Sequence, residues 1–155
     1  MPRHPEQFDK VADYLSQQHI LFHRKSNLEV LEHHVLLGDT MGELLIFYGA
    51  ANCAFIGGSL IERGGHNPLE AAAFSVPVIS GPSYYNFMHV YPKLLSLNAC
   101  SLVSSAEELS CKLAEFANNP TAANSQGALA CNFVEQSKGA IDKTIALMIE
   151  ENAAL

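Results

Sequence analysis

The sequence predicts an α/β fold in which a parallel sheet is covered by helices on both faces. Short apolar segments of strand length alternate along the chain with longer segments in which apolar residues recur at helical spacing. Turn-forming glycines separate many of these segments, and the chain contains no internal repeat or low-complexity tract. In such folds ligands bind beyond the carboxyl ends of the strands. The loops that follow the strands are therefore the candidates for function.

The predicted elements follow this alternation in order. An amphipathic helix spans Pro5 to Gln18, behind a proline and an acidic first turn. The segments predicted as buried strands are Ile20–Phe22, His34–Leu37, Cys53–Ile56, Val76–Ile79 and Cys100–Val103. The further predicted helices are Glu43–Ala51, Pro68–Phe74, Ala106–Ala117, Thr121–Glu135 and Ser137–Glu150. Since only Met1–His4 precedes the first helix, we expect the chain to be an excised domain whose opening strand is missing.

Length and composition limit the possible functions. A chain of 155 residues with 48% apolar and 16% charged residues is typical of one compact domain. The net charge of -7, with nine Lys and Arg scattered along the chain, argues against a nucleic-acid partner, since no basic stripe is present. An anionic ligand would have to be held by locally placed donors.

The spacing of the cysteines and histidines and the length of the apolar runs argue against several classes of protein. The four cysteines form no C-x-x-C pair, and there is no signal peptide, which favours free thiols in a cytoplasmic protein. The apolar run Leu44–Phe47 is far shorter than the ~20 residues of a membrane span. The seven histidines lack metal-ligand spacing, and no G-x-S-x-G elbow occurs. We predict a soluble protein without a metal site.

The strongest functional signal is the glycine-rich segment from Gly57 to Glu70, between a predicted strand and a predicted helix. Asn67 suits the N-cap and Pro68 the first helical position, so free amides and the positive end of the helix dipole would face the loop and bind a phosphate. Alternatively, Asn67 and Glu70 form only a capping box. The local pattern leaves both interpretations open.

Other features of this segment favour the anion site. The glycine pairs exceed what capping requires, and Arg63 and His66 add positive charge or hydrogen-bonding capacity beside it. Glu70 could instead accept hydrogen bonds from a ribose diol, as carboxylates do in dinucleotide-binding folds.

Three further loops are expected near the same sheet edge. In the loop Gly38–Glu43, Asp39 or Thr40 is predicted to cap the following helix, and Met41 would form an apolar wall for a base. Arg3 would clamp a phosphate or carboxylate, although a lone terminal Arg is often a solvated charge. The polar-aromatic loop Tyr84–Phe87 would face an acceptor or pack against a neighbouring domain.

Several ordered strings together resemble one family, the 3-deoxy-D-manno-octulosonic acid (Kdo) transferases of lipopolysaccharide synthesis. The similarity extends over nearly the whole chain and is strongest from Met1 to about Phe87. The strings are Pro2-Arg3-His4-Pro5-Glu6, Leu37-Gly38-Asp39-Thr40-Met41-Gly42-Glu43-Leu44, Phe47-Tyr48, and Gly57-Gly58-Ser59 through Gly64-Gly65-His66-Asn67-Pro68-Leu69-Glu70.

The resemblance implies a Rossmann-like domain, the C-terminal half of a GT-B glycosyltransferase, spanning residues 1–155. Such an enzyme takes Kdo from CMP-Kdo and places it on the lipid A precursor (lipid IVA) at the cytoplasmic face of the bacterial inner membrane, without a cofactor or metal. The residues implied to line the CMP site are Pro2, Arg3, Met41, Gly42, Glu43, Asn67, Pro68, Leu69 and Glu70. The neighbours expected beside it are His4, Ser59, Arg63 and His66.

The resemblance also implies what lies outside this chain. The catalytic carboxylate, the acceptor site and the membrane-associating surface belong to the N-terminal half of the family, so no catalytic residue is expected here. We expect this chain to bind donor but not to catalyse transfer. The alternatives are a nucleotide-sugar epimerase-like GT-B half, which would prefer uridine to cytidine, and a non-catalytic binding module with a purely structural loop.

Overall fold

The computed structural model describes residues 1–27, 30, 32–139 and 149. The chain divides into two compact units, Met1–Phe47 and Tyr48–Leu155, and each is described by itself. Within the described residues, no helix is long and apolar enough to span a membrane.

The first unit contains one parallel strand pair. A 3-10 turn over Pro5–Gln7 leads into α1 (Phe8–Gln17), which buries Phe8 and Ala12 one helical turn apart, as the periodicity predicts. Strand β1 (Phe22–Arg24) pairs in parallel with β2 (Val35–Leu37), and Arg24 lies opposite Leu37. Helix α2 (Leu44–Ala50) begins in this unit.

Strand β1 lies further along the chain than predicted. Ile20 and Leu21, which the apolar pattern places in the strand, are 40% and 70% exposed. The paired residues instead extend to Arg24, whose guanidinium binds the buried carboxylate of Asp39. A tertiary ion pair therefore outweighs the local apolar run in placing this strand.

The second unit contains three parallel strands in the order β3-β4-β5. The strands are β3 (Ala54–Phe55), β4 (Val78–Ser80) and β5 (Cys100–Leu102). The helices are α3 (Leu69–Ala72), α4 (Tyr91–Ser96), α5 (Ala106–Asn118) and α6 (Pro120–Gln136). This confirms the predicted parallel α/β fold.

Helices cover both faces of this three-stranded sheet. Val78 and Ile79 are consecutive in β4 and fully buried, so their side chains point to opposite faces. Val78 belongs to a core cluster that includes residues of α3, α4 and α6, whereas Ile79 packs with Phe116 of α5 and Ala123 of α6. The two-sided covering confirms the sequence prediction.

Predicted and observed elements of the second unit differ at β4 and at α4. The strand expected at Val76–Ile79 begins two residues later, as β4, and ends one residue later, at Ser80. Helix α4 was not predicted, because its six residues are too few to establish a helical period. The helix predicted at Ser137–Glu150 lies largely outside the described residues.

Candidate functional site

The loops that follow β3 and β4 meet at a buried serine. The amide of Ile56 donates to Ile79 O at 2.9 Å, and the glycine loop, residues 57–66, begins directly afterwards. Ser59 is completely buried; its hydroxyl donates to Ile56 O and accepts from the Gly81 amide at 2.7 Å. Ser59 therefore joins the two loops, and its burial keeps it from reaching a bound ligand directly.

The backbone amides at the end of the glycine loop, residues 64–66, bind within the protein. The amide of Gly64 donates to Ser83 Oγ at 3.1 Å. The amides of Gly65 and His66 donate to the carbonyls of Gly58 and Gly57, each at 3.2 Å. The amides of residues 64–66 are therefore engaged within the protein.

The glycines serve close contact within the protein instead. Gly64 has φ +76, and a Cβ there would lie 2.5 Å from Asn86 Nδ2 and 2.6 Å from Tyr85 Cε2. A Cβ on Gly81 would lie 2.2 Å from Ser59 O. Both positions require glycine because the 81–86 turn, the segment after β4, lies directly against the glycine loop.

Asn67 and Glu70 form a local pair at the start of α3. Asn67 Oδ1 accepts from the Leu69 amide at 3.0 Å, and Asn67 Nδ2 donates to Glu70 Oε1 at 3.3 Å. Both side chains are half-buried, and Pro68 between them is fully buried. The Glu70 carboxylate is thus held in one orientation while part of it remains accessible.

This geometry modifies both sequence interpretations of the segment. The N-cap position belongs to Pro68 rather than Asn67, and Glu70 contacts the Asn67 side chain rather than its backbone amide. Helix α3 has only four residues, so its dipole is much smaller than that of the predicted helix to Phe74. Polar side chains, more than a helix dipole, must supply any attraction for an anion here.

Arg63 and His66 precede Asn67 in the chain. Both residues are exposed. The His66 ring packs over Gly57, where a Cβ would lie 3.6 Å from its Cδ2. The side chains of Arg63 and His66 therefore lie at the surface, where a ligand could reach them.

Tyr48 is a neighbour of Glu70 that the predicted site omitted. Burial raises the pKa of the Tyr48 phenol, and the nearby Glu70 carboxylate raises it further. The string Phe47-Tyr48 signals this residue only through the family resemblance, because helical periodicity alone cannot separate a site tyrosine from a core tyrosine.

In the first unit, Asp39 anchors the 38–43 loop to β1. Its side chain is 1% exposed; Arg24 Nε donates to Oδ2 at 2.6 Å, and Ser26 donates from its amide and hydroxyl at 2.8 and 2.7 Å. Burial alone would raise the pKa of Asp39, but the hydrogen bonds from Ser26 and Arg24 lower it to about 2. The prediction that Asp39 caps α2 is therefore wrong.

The remainder of the 38–43 loop carries predicted site residues. The Thr40 hydroxyl donates to the Glu43 carboxylate, and Lys25 Nζ lies 3.7 Å from Glu43 Oε1. Met41 is 59% exposed, and Gly42, at φ +81, has open space beside its Cα. Glu43 is thus oriented from two sides, while Met41 offers an apolar surface to solvent.

The N-terminal segment lies beside the same loop. A Cβ on Gly38 would lie 3.2 Å from the Met1 side chain. Pro2 is half-buried and Arg3 exposed, and the carbonyl of His4 accepts from the Gln7 amide at 3.0 Å to start the first 3-10 turn. Met1, directly before Pro2, therefore lies beside the start of the 38–43 loop within the first unit.

Comparison with known proteins identifies the family. The family model for glycosyl transferases group 1 matches residues 4–131. The chain belongs to the group 1 glycosyl transferases. Among the described residues, no group of three or more His, Cys, Asp or Glu side chains is arranged to hold a metal ion.

Relatives within the group 1 glycosyl transferases are Kdo transferases. The chain is 36% identical over 151 residues to 3-deoxy-D-manno-octulosonic acid transferase of Haemophilus influenzae, covering 96% of this chain and 35% of that protein. It is 44% identical over 90 residues to the enzyme of the same name from Bordetella pertussis, covering 56% of this chain and 21% of that protein. The chain therefore spans about a third or less of these curated relatives.

A solved structure matches the fold and most of the length. The crystal structure of the C-terminal CMP-Kdo binding domain of WaaA from Acinetobacter baumannii superposes with a TM-score of 0.82 at 34% identity. The match covers 88% of this chain and 72% of that one. This confirms the predicted Rossmann-like, C-terminal GT-B fold.

Proposed function

We propose that residues 1–155 form the donor-binding domain of a glycosyltransferase that transfers Kdo from CMP-Kdo to the lipid A precursor. The observation that carries this proposal is the match, at 34% identity and a TM-score of 0.82, to a CMP-Kdo binding domain. The exposed Arg63 and His66, next to the ordered Asn67–Glu70 pair, supply suitable chemistry for a phosphorylated ribonucleoside.

In this proposal each predicted group has one task. Asn67 and the start of α3 face the CMP phosphate, with Arg63 and His66 beside it, and the Glu70 carboxylate accepts from the ribose hydroxyls. Pro68 and Leu69 fix the backbone between Asn67 and Glu70. Within the first unit, the residues proposed to contact the donor are Pro2, Arg3, Met41, Gly42 and Glu43.

The chemistry proposed for the whole protein is direct displacement of CMP by an acceptor hydroxyl, activated by a carboxylate outside this chain. This chain would stabilise the negative charge that develops on the leaving phosphate, which is a large term in such reactions. Transfer would occur at the cytoplasmic face of the inner membrane, with membrane association provided by the N-terminal half.

A titration of labelled chain with CMP and with UMP tests the proposal. We expect CMP to shift the signals of the Asn67 side-chain amide and the Leu69 backbone amide, and UMP to bind more weakly. Asn67→Ala should abolish the response and also cost about 1 kcal/mol of stability, because the Leu69 amide loses its acceptor. Asn132→Ala, an exposed asparagine on α6, is the matched control and should bind normally.

The other outcomes separate the competing functions. Tighter binding of UMP would favour an epimerase-like donor site. Unchanged spectra around Asn67 and Glu70 at millimolar concentrations of either nucleotide would contradict donor binding and favour a purely structural loop.

A further inference from the structure

The 81–86 turn holds the glycine loop through hydrogen bonds that involve Ser83, Tyr85 and Asn86. Ser83 binds the start of the loop through its amide, which donates to Ser59 O at 3.0 Å. It binds the far end through its hydroxyl, which accepts from the Gly64 amide at 3.1 Å. One residue therefore fixes the distance between the two ends of the loop.

Asn86 and Tyr85 hold the residues just before Gly64. Asn86 Nδ2 donates to the Arg63 carbonyl at 3.1 Å, and the Tyr85 hydroxyl donates to the Glu62 carbonyl at 3.4 Å. The backbone from which the Arg63 side chain projects is thus fixed by the neighbouring turn. Residues 57–66 contain no helix or strand that could do this instead.

The turn is itself anchored in the core of the second unit. The Tyr84 ring stacks on the fully buried Tyr91 ring, with centroids 4.5 Å apart. The Tyr91 hydroxyl shares a hydrogen bond with Ser80 Oγ at 2.9 Å, at the end of β4. A rigid support therefore extends from the core through the turn to the glycine loop.

A loop that is ordered before binding loses less conformational entropy when a ligand arrives, and it keeps its donors in place. Arg63, His66 and Asn67 lie within or directly after the segment that Ser83 and Asn86 hold. Movement of the backbone at residues 63–64 would displace the groups that face the phosphate in the proposed function.

We infer that Ser83 and Asn86 are positioning residues for the phosphate end of the donor site. They act through the backbone at Gly64 and Arg63, without touching the nucleotide. The inference rests on the proposed function, since the donor site must lie at Asn67–Glu70 for this positioning to matter.

The test compares the affinities of the variants for CMP and for cytidine, which lacks the phosphate. Ser83→Ala removes the acceptor for Gly64, and Asn86→Ala removes the donor to Arg63 without adding a charge. We expect each variant to bind CMP roughly tenfold more weakly, the effect of losing about one hydrogen bond. Cytidine affinity should stay unchanged, because the positioned groups face the phosphate.

Two controls separate positioning from general loss of structure. Ser83→Thr keeps the hydroxyl and should restore most of the CMP affinity. Ser96→Ala removes an exposed serine hydroxyl that donates to the Lys93 carbonyl at 2.9 Å, and it should leave CMP affinity unchanged. Amide exchange at Gly64 should accelerate in Ser83→Ala and not in Ser83→Thr.

The outcomes distinguish this inference from the function on which it rests. If the wild-type chain binds CMP and the variants bind it equally well, the inference alone is overturned. The same holds if the variants lose affinity for cytidine and CMP together. Wild-type chain that binds no CMP would overturn the proposed function and the inference with it.

Discussion

The 38–43 loop and the glycine loop each follow a parallel strand, but different forces hold them. The 38–43 loop is held by charge, because the buried Asp39 carboxylate binds Arg24 and Ser26. The glycine loop is held by neutral hydrogen bonds and by close backbone contact, chiefly at Ser59 and Gly81. The 38–43 loop should therefore respond to pH, and the glycine loop to small changes in side-chain volume.

The largest expected effect is that of Gly81→Ala, which tests whether close backbone contact holds the glycine loop. The new Cβ would lie 2.2 Å from Ser59 O, against backbone that cannot move away easily. We expect a loss of about 3 kcal/mol or more in the free energy of unfolding, at the upper end of overpacking effects. Urea unfolding measures it.

Gly42→Ala is the matched control in the other loop. Gly42 has a backbone conformation that favours glycine, at φ +81, and open space around it. Only the cost of the left-handed backbone, about 1–2 kcal/mol, should appear. Equal losses in the two variants would show that close contact is not what requires Gly81.

The next largest effect is expected for Asp39→Asn, which tests whether a buried charge holds the 38–43 loop. The substitution keeps the shape but leaves Arg24 and Ser26 facing a neutral amide that offers only one acceptor oxygen. We expect a loss of about 2–3 kcal/mol, typical of a hydrogen-bonded charge removed from a buried site. An unfolding midpoint equal to that of the wild type would contradict the assigned role of Asp39.

The pH dependence of the unfolding free energy should show the contribution of the Asp39 carboxylate. In the folded chain the pKa of Asp39 is lowered from 3.8 to about 2. The ionised carboxylate therefore contributes its full stabilisation above about pH 4, and this stabilisation is lost as the pH falls from about 4 towards 2. The difference in unfolding free energy between wild type and Asp39→Asn should shrink over this range. A difference that stays constant down to pH 2.5 would contradict the lowered pKa.

The smallest effect is expected for Asp9→Asn, which removes the other carboxylate bound to Arg24. Asp9 Oδ1 lies 2.8 Å from Arg24 Nη2, but the Asp9 side chain is 84% exposed. Solvent and salt screen such a pair, and Asp39 still holds the guanidinium. We expect no resolvable change in the unfolding midpoint; a loss comparable to that of Asp39→Asn would mean that burial does not decide between the two carboxylates.

The sequence predicts those features that arise from local pattern. Helices α5 and α6 have caps at Ser105 and Asn119 that accept backbone hydrogen bonds, and they begin within one residue of the predicted positions. Strands β3 and β5 lie within apolar runs bounded by turns. Local periodicity and capping were sufficient for these elements.

The sequence does not predict contacts between distant residues. The hydrogen bonds between Ser83 and Gly64 and between Gly81 and Ser59 join residues 19 and 22 positions apart, and the Arg24–Asp39 pair joins residues 15 apart. The glycine pairs indicated a close backbone approach, but their sequence did not show that the amides of Gly64, Gly65 and His66 bind within the protein. Only the folded chain shows which partner each group takes.

In the proposed function, Asn67–Glu70 hold a cytidine nucleotide, with Glu70 on the ribose. The most direct test measures the affinity of wild type and Glu70→Gln for CMP and for 2′,3′-dideoxy-CMP, because the glutamine keeps an oxygen that can accept from Asn67. We predict that Glu70→Gln weakens CMP binding roughly tenfold and leaves binding of the dideoxy nucleotide unchanged. Equal losses for both nucleotides, or no loss for CMP, would contradict the account.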